Sequence, residues 1–113
     1  MRYMGMITTV AAALLVSATG AFAASAEKGR AAFGKNGCWQ CHGWEGQGGS
    51  TGPRLARTQL PVEALTAFVR NTNGPMPPYS EKLISDADLA DIYAFVSAQP
   101  APADPKTIPL LAR

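Results

Sequence analysis

The chain places both of its cysteines and its only histidine in one run, Cys38-Trp39-Gln40-Cys41-His42, within the segment GCWQCHGWEG. Three chemistries use such a cluster. Two thiols at i and i+3 form a redox-active disulfide where a strand leads into a helix. Thiolates and an imidazole bind zinc, but a structural zinc site takes four protein ligands and three are on offer here. In c-type haem attachment, two thiols add across the vinyl groups of a haem while the adjacent imidazole coordinates the iron from one face. Contiguity then has a mechanical reason: two thioethers must reach two fixed points on a rigid ring, and the next residue must turn its imidazole under the metal. Cys38, Cys41 and His42 are therefore expected to hold one covalent haem c, with His42 as a ligand of its iron.

Attachment of this kind takes place outside the bacterial cytoplasm, so the start of the chain matters. The stretch MRYMGMITTVAAALLVSATGAFA carries one early charge at Arg2, an apolar run centred on Val10 to Val16, and Ala21 and Ala23 on either side of Phe22. This is the layout of a secretory signal peptide over residues 1–23, cut between Ala23 and Ala24. The alternative is a retained anchor helix over Met4 to Ala24. The run is rich in alanine, broken by Thr8, Thr9, Ser17 and Thr19, and ends in small rather than basic residues, which favours cleavage. The expected location is the periplasm, with membrane association only if the leader is retained.

Of the 113 residues, 47% are hydrophobic and 16% charged, a globular composition with room for one domain. A mature chain of about 90 residues buries a modest share of its surface, and a covalent cofactor or staple would help to hold it. The formal net charge is +2 and no basic block stands out, which argues against nucleic acid as a partner.

The elements that must position the motif read as helices. Ser25 caps a first helix, AEKGRAAFGKNG, with Glu27 in its first turn, Lys35 near its end and Asn36-Gly37 as the stop. Gly29, Ala32 and Phe33 share its inner face. A glycine inside a helix costs about 1 kcal/mol against alanine, so Gly29 points to a second helix passing close by. A second helix begins at Pro61, with Val62, Leu65, Phe68 and Val69 at helical spacing. Ser85 caps a third, with Asp88 three residues on, Ile84 and Leu89 as a hydrophobic staple, a stripe of Leu89, Ile92, Tyr93 and Val96, and Pro100 as the stop.

Between these helices, GWEGQGGSTGP over Gly43 to Pro53 has five glycines and reads as a loop whose backbone approaches something bulky. GPMPPYS holds Met76, the only methionine after the leader, in a proline-stiffened loop. Residues 24–99 thus form the expected domain, and residues 100–113 an extended proline-rich tail. Its Ile108, Leu110 and Leu111 are expected either to fold back over the domain or to dock on a partner.

From about Ala24 to Gln99 the chain resembles a small monohaem class I cytochrome c. The match rests on an ordered set: Gly29 and Phe33, CWQCH, GPRL at Gly52 to Leu55, Met76 in GPMPPY, and Tyr93. The resemblance implies an all-α class I cytochrome c fold, with three main helices wrapped around one covalent haem and joined by glycine- and proline-rich loops. It implies that the first and last helices cross at Gly29, with Phe33 and Tyr93 beside them. It implies that the Pro53 carbonyl meets the other nitrogen of His42, and that Met76 is the sixth ligand of the iron. Arg54, Arg57 and Arg70 are ordinary surface charges by default, with one of them able to pair with a haem propionate.

With His42 and Met76 filling both axial positions, no site is left for a substrate, and the implied role is electron carrier rather than enzyme. The partners are then redox proteins: a dehydrogenase, a cytochrome complex or a terminal oxidase, with this chain as free carrier or small subunit. The alternative is a gas-binding or peroxidatic haem protein with an open sixth position.

Overall fold

A computed structural model describes residues 23–111, so the expected leader, apart from Ala23, lies outside the described residues. Four α-helices follow one another: α1 (Ala26–Lys35), α2 (Trp39–His42), α3 (Val62–Arg70) and α4 (Asp86–Ser97), with a 3₁₀ turn at Pro105–Thr107. No strand occurs among the described residues, in keeping with an all-α cytochrome c fold. None of the helices among them is long and apolar enough to cross a membrane.

Local chemistry sets the helix ends. The Ser25 hydroxyl accepts from the Lys28 N–H at 3.3 Å and the Ser85 hydroxyl from the Asp88 N–H at 3.1 Å, each satisfying a first-turn donor left free by the helix. Pro61 stands at the N-cap of α3, one position before the helical start expected for it. Gly37 adopts φ +74 just past α1, a conformation open to glycine at little cost.

α1 lies against α4, and the contact depends on Gly29. A Cβ at this position would fall onto the backbone carbonyl of Asp91 in α4. The same residue is gripped twice, because the Ser25 N–H also donates to the Asp91 carboxylate at 2.6 Å. Beside the crossing, Phe33 and Phe95 meet with ring centroids 5.5 Å apart and planes tilted by 58°, within the range favoured by aromatic quadrupoles. The core joins Phe33, Leu65, Val69, Ile84, Leu89, Ile92, Phe95 and Val96, with Met76, Tyr79, Trp39 and Cys38 packed at its edge.

Three side chains depart from the periodicity. Phe95 is buried and pairs with Phe33, whereas Tyr93 is only half-buried at the margin of the core. In α3, Leu65 and Val69 face the core but Phe68 is 62% exposed. At about 100° per residue, Phe68 lies roughly 90° from the centre of the Val62-Leu65-Val69 stripe, away from the side on which Leu65 and Val69 are buried. The tail is extended only in part. The Asp104 carboxylate caps the 3₁₀ turn by accepting from the Lys106 N–H at 2.9 Å, and Ile108, Leu110 and Leu111 are all exposed.

Candidate functional site

The motif CWQCH starts at Cys38, three residues after the last residue of α1, and winds into the single turn of α2, a helix that sequence periodicity does not reveal because four residues carry no period. The Gln40 N–H donates to Gly37, and the His42 N–H to Cys38, which closes the turn. Winding brings the residues at i and i+3 to neighbouring places on one face, so Cys38 and Cys41 stand together with His42 following. Cys38 is half-buried and Cys41 exposed, and both are free thiols. Burial pushes the Cys38 thiol above its usual value, against a smaller opposing effect of a backbone hydrogen bond.

His42 is 6% exposed, the single buried polar side chain among the described residues. Its Nδ1 lies 2.7 Å from the Pro53 carbonyl oxygen. A carbonyl only accepts, so Nδ1 carries the proton in this bond and the Nε2 lone pair is left for another partner. The glycine loop holds Pro53 there. The Gly48 N–H donates to the His42 carbonyl at 2.7 Å, and the Gly46 carbonyl accepts from both Leu55 and Ala56 at 2.7 and 2.8 Å. At Gly46 and Gly48 the backbone turns through φ +68 and +88. The segment is therefore an ordered strap over the motif, built from backbone hydrogen bonds instead of regular structure.

Gly52 gives the strap its close approach. A Cβ there would sit 2.7 Å from the Cys41 carbonyl oxygen and 2.9 Å from its carbon. Gly52→Ala is accordingly expected to lift the Gly52-Pro53 backbone away from Cys41 and His42 and to cost about 1–3 kcal/mol. A thermal unfolding midpoint equal to that of the native protein would show that the strap has room to spare.

Met76 is half-buried against the core, in the loop between α3 and α4. The Thr72 hydroxyl donates to its carbonyl at 2.6 Å, and the Tyr79 N–H donates to the Val69 carbonyl at 3.0 Å, so the loop is tied at both ends. Tyr79 reaches back toward the motif: burial first, and then the charges of Cys38 and Cys41, hold its phenol above the usual tyrosine value. Trp39 and Trp44 stack across the motif with centroids 4.0 Å apart and planes within 6°. Trp44, not Trp39, is the exposed one of the pair, at 60%. None of the three arginines reads the same in space. Arg54 donates to the Ala56 carbonyl at 3.3 Å, Arg57 takes a left-handed backbone at φ +60, and Arg70 donates to the Tyr79 carbonyl at 2.9 Å.

Among the described residues no group of three His, Cys, Asp or Glu side chains is placed to hold a metal ion by itself. A disulfide of the strand-to-helix kind has no strand to spring from among the described residues. What Cys38, Cys41 and His42 do fit is a metal that brings most of its own ligands: one oriented imidazole beside two neighbouring thiols.

Helices without strands among the described residues, together with such a motif, are those of a small c-type cytochrome. The family described as cytochrome c oxidase, cbb3-type, subunit III matches residues 24–96, and the chain belongs to it. Comparison with curated proteins found no match, nor did comparison with solved structures. Membership carries haem c and haem-based electron transfer with it.

Proposed function

We propose that this protein carries single electrons in the periplasm on one haem c, bound through Cys38 and Cys41, with His42 and Met76 as axial ligands. The observation that carries the reading is the His42–Pro53 hydrogen bond, which engages Nδ1 of a buried imidazole and leaves Nε2 free for a metal. When bound, the haem supplies a reversible one-electron change at its iron.

The chain's own contributions are orientation and exclusion of water. Pro53 fixes the ring and tautomer of His42 and makes the imidazole a better donor to a metal. The strap of Gly43 to Pro53 keeps the Pro53 carbonyl on this bond through its own backbone hydrogen bonds. Met76 brings a thioether, which favours the reduced iron relative to a second imidazole. The apolar core beside Cys38 and Met76 acts in the same direction, since added positive charge is costly at low dielectric. Ligands held by packed elements move little between redox states, and that lowers the barrier to transfer.

The family description names an oxidase subunit, which favours work within a redox complex over free diffusion. A terminal oxidase, a dehydrogenase or a cytochrome complex is the class of partner. Residues 1–23 act as the export signal in this reading, and residues 100–113 lie outside the haem domain.

Covalent attachment is tested by denaturing extraction into acidified organic solvent. The haem is expected to stay with the polypeptide, whose mass exceeds that of the bare chain by one haem. Free extraction of the haem, or a bare-chain mass, would remove the proposal.

A further inference from the structure

Arg70 reads from the sequence as an ordinary surface cation at the end of α3, yet its side chain is only 18% exposed. One terminal nitrogen, Nη1, donates to the Tyr79 carbonyl at 2.9 Å, and the other, Nη2, pairs with Asp86 Oδ1 at 2.6 Å. Tyr79 closes the loop that carries Met76, and Asp86 opens α4. One planar guanidinium therefore ties together the end of α3, the far end of the Met76 loop and the start of the next helix.

We propose that Arg70 is a positioning residue for Met76, fastening the loop so that the thioether stays on the iron. The inference rests on the reading of Met76 as sixth ligand, and it adds what sets the strength of that ligation. The near end of the loop has its own tie, from the Thr72 hydroxyl to the Met76 carbonyl. Beyond Met76 come Pro77 and Pro78, which have no N–H to donate, so the loop's next backbone tie is at Tyr79. There the N–H is held by Val69 and the carbonyl by Arg70.

The two arms of the guanidinium differ in weight. The Asp86 side chain is 68% exposed, so water screens the ion pair and it adds little by itself. Its effect is to orient the fork, leaving the second nitrogen aimed at the Tyr79 carbonyl. A charged donor on a carbonyl at the protein edge is the stronger arm. Lysine offers a single ammonium on a flexible stem and does not reproduce both contacts at once.

The test uses haem-loaded protein carrying Arg70→Met, Arg70→Lys or Asp86→Asn, with Met76→Ala as control. Carbon monoxide binding is timed in the reduced state, and the sulfur-to-iron charge-transfer band is recorded in the oxidised state. Losing a hydrogen bond from a charged donor, about 1.4 kcal/mol, is about tenfold in the equilibrium between closed and open loop. Arg70→Met is thus expected to bind carbon monoxide about tenfold faster and to show a weakened band, with Arg70→Lys in between and Asp86→Asn within about twofold of native. If Arg70→Met fails to yield folded protein, Arg70→Lys carries the comparison, with an expected gain of roughly threefold. A lowered unfolding midpoint with native carbon monoxide kinetics and a native band makes Arg70 merely structural and overturns the proposal. A band that survives in Met76→Ala removes the ligand reading first, and this proposal with it. A band lost in Met76→Ala but untouched in the Arg70 variants leaves the ligand in place and rejects only the positioning role.

Discussion

Replacing Met76 with histidine is expected to keep the haem low-spin and to lower its potential by a substantial part of the roughly 0.8 V that axial ligation commands. Imidazole is the stronger donor and favours ferric iron, whereas thioether sulfur favours ferrous. Replacing it with alanine leaves no sulfur or imidazole donor on the loop. Among the described residues the other sulfurs are the two thiols, which the proposed haem attachment uses, and His42, the one histidine of the chain, is the ligand proposed for the opposite face of the iron. The reduced Met76→Ala protein is then expected to bind carbon monoxide, which the native protein is expected to resist, and to lose the sulfur-to-iron charge-transfer band. An alanine variant that retains the band would exclude Met76 as ligand. Native protein that already binds carbon monoxide readily would turn the reading toward a gas-binding haem protein.

Gly29 is the other position where one atom decides much. Alanine improves helix propensity by about 1 kcal/mol over glycine, and by that measure Gly29→Ala stabilises α1. The new Cβ, however, lands on the Asp91 carbonyl, which is backbone in the middle of α4 and has no rotamer to yield. Relief requires the two helices to separate, and separation loosens Phe33 from Phe95 and opens the Ser25–Asp91 bond. Overpacking of this kind costs about 1–3 kcal/mol or more, so the clash outweighs the propensity gain. Gly29→Val adds two further methyl groups and is expected to reach at least about 3 kcal/mol. In a domain of this size that lowers the unfolding midpoint by more than about 12 °C. Thermal unfolding of the haem-loaded protein measures it, and an unchanged midpoint in Gly29→Val would show that the helices do not rely on this contact.

Both predictions combine features of different legibility. A helix penalty at Gly29 is visible in the sequence, but the identity of the atom opposite it is not. Met76 stands alone in its proline-framed loop, yet the tie from Thr72 and the clamp from Arg70 involve partners four and nine residues away whose meeting depends on the loop's path. The sequence distinguishes an arginine at the end of a helix only as favourable to the dipole. Its burial follows from Tyr79 and Asp86 folding over it.

The sequence by itself determined what arises between residues within about a turn of one another: the thiol-imidazole motif, the serine caps of α1 and α4, the stops at Asn36-Gly37 and Pro100, and the absence of strand alternation. Those interactions are local, so residue type and spacing suffice. Only the tertiary structure decided which aromatic of α4 meets Phe33, why Phe68 faces outward, and how Gly43 to Pro53 becomes an ordered strap. A helical stripe wider than its neighbour leaves its margin uncovered, and periodicity does not say which margin that is. The strap owes its order to carbonyls and N–H groups brought together from both of its ends, and backbone groups are the same at every residue. Their pairing is set by the path of the chain in space, through the approach of Gly52 to Cys41 and of Pro53 to His42.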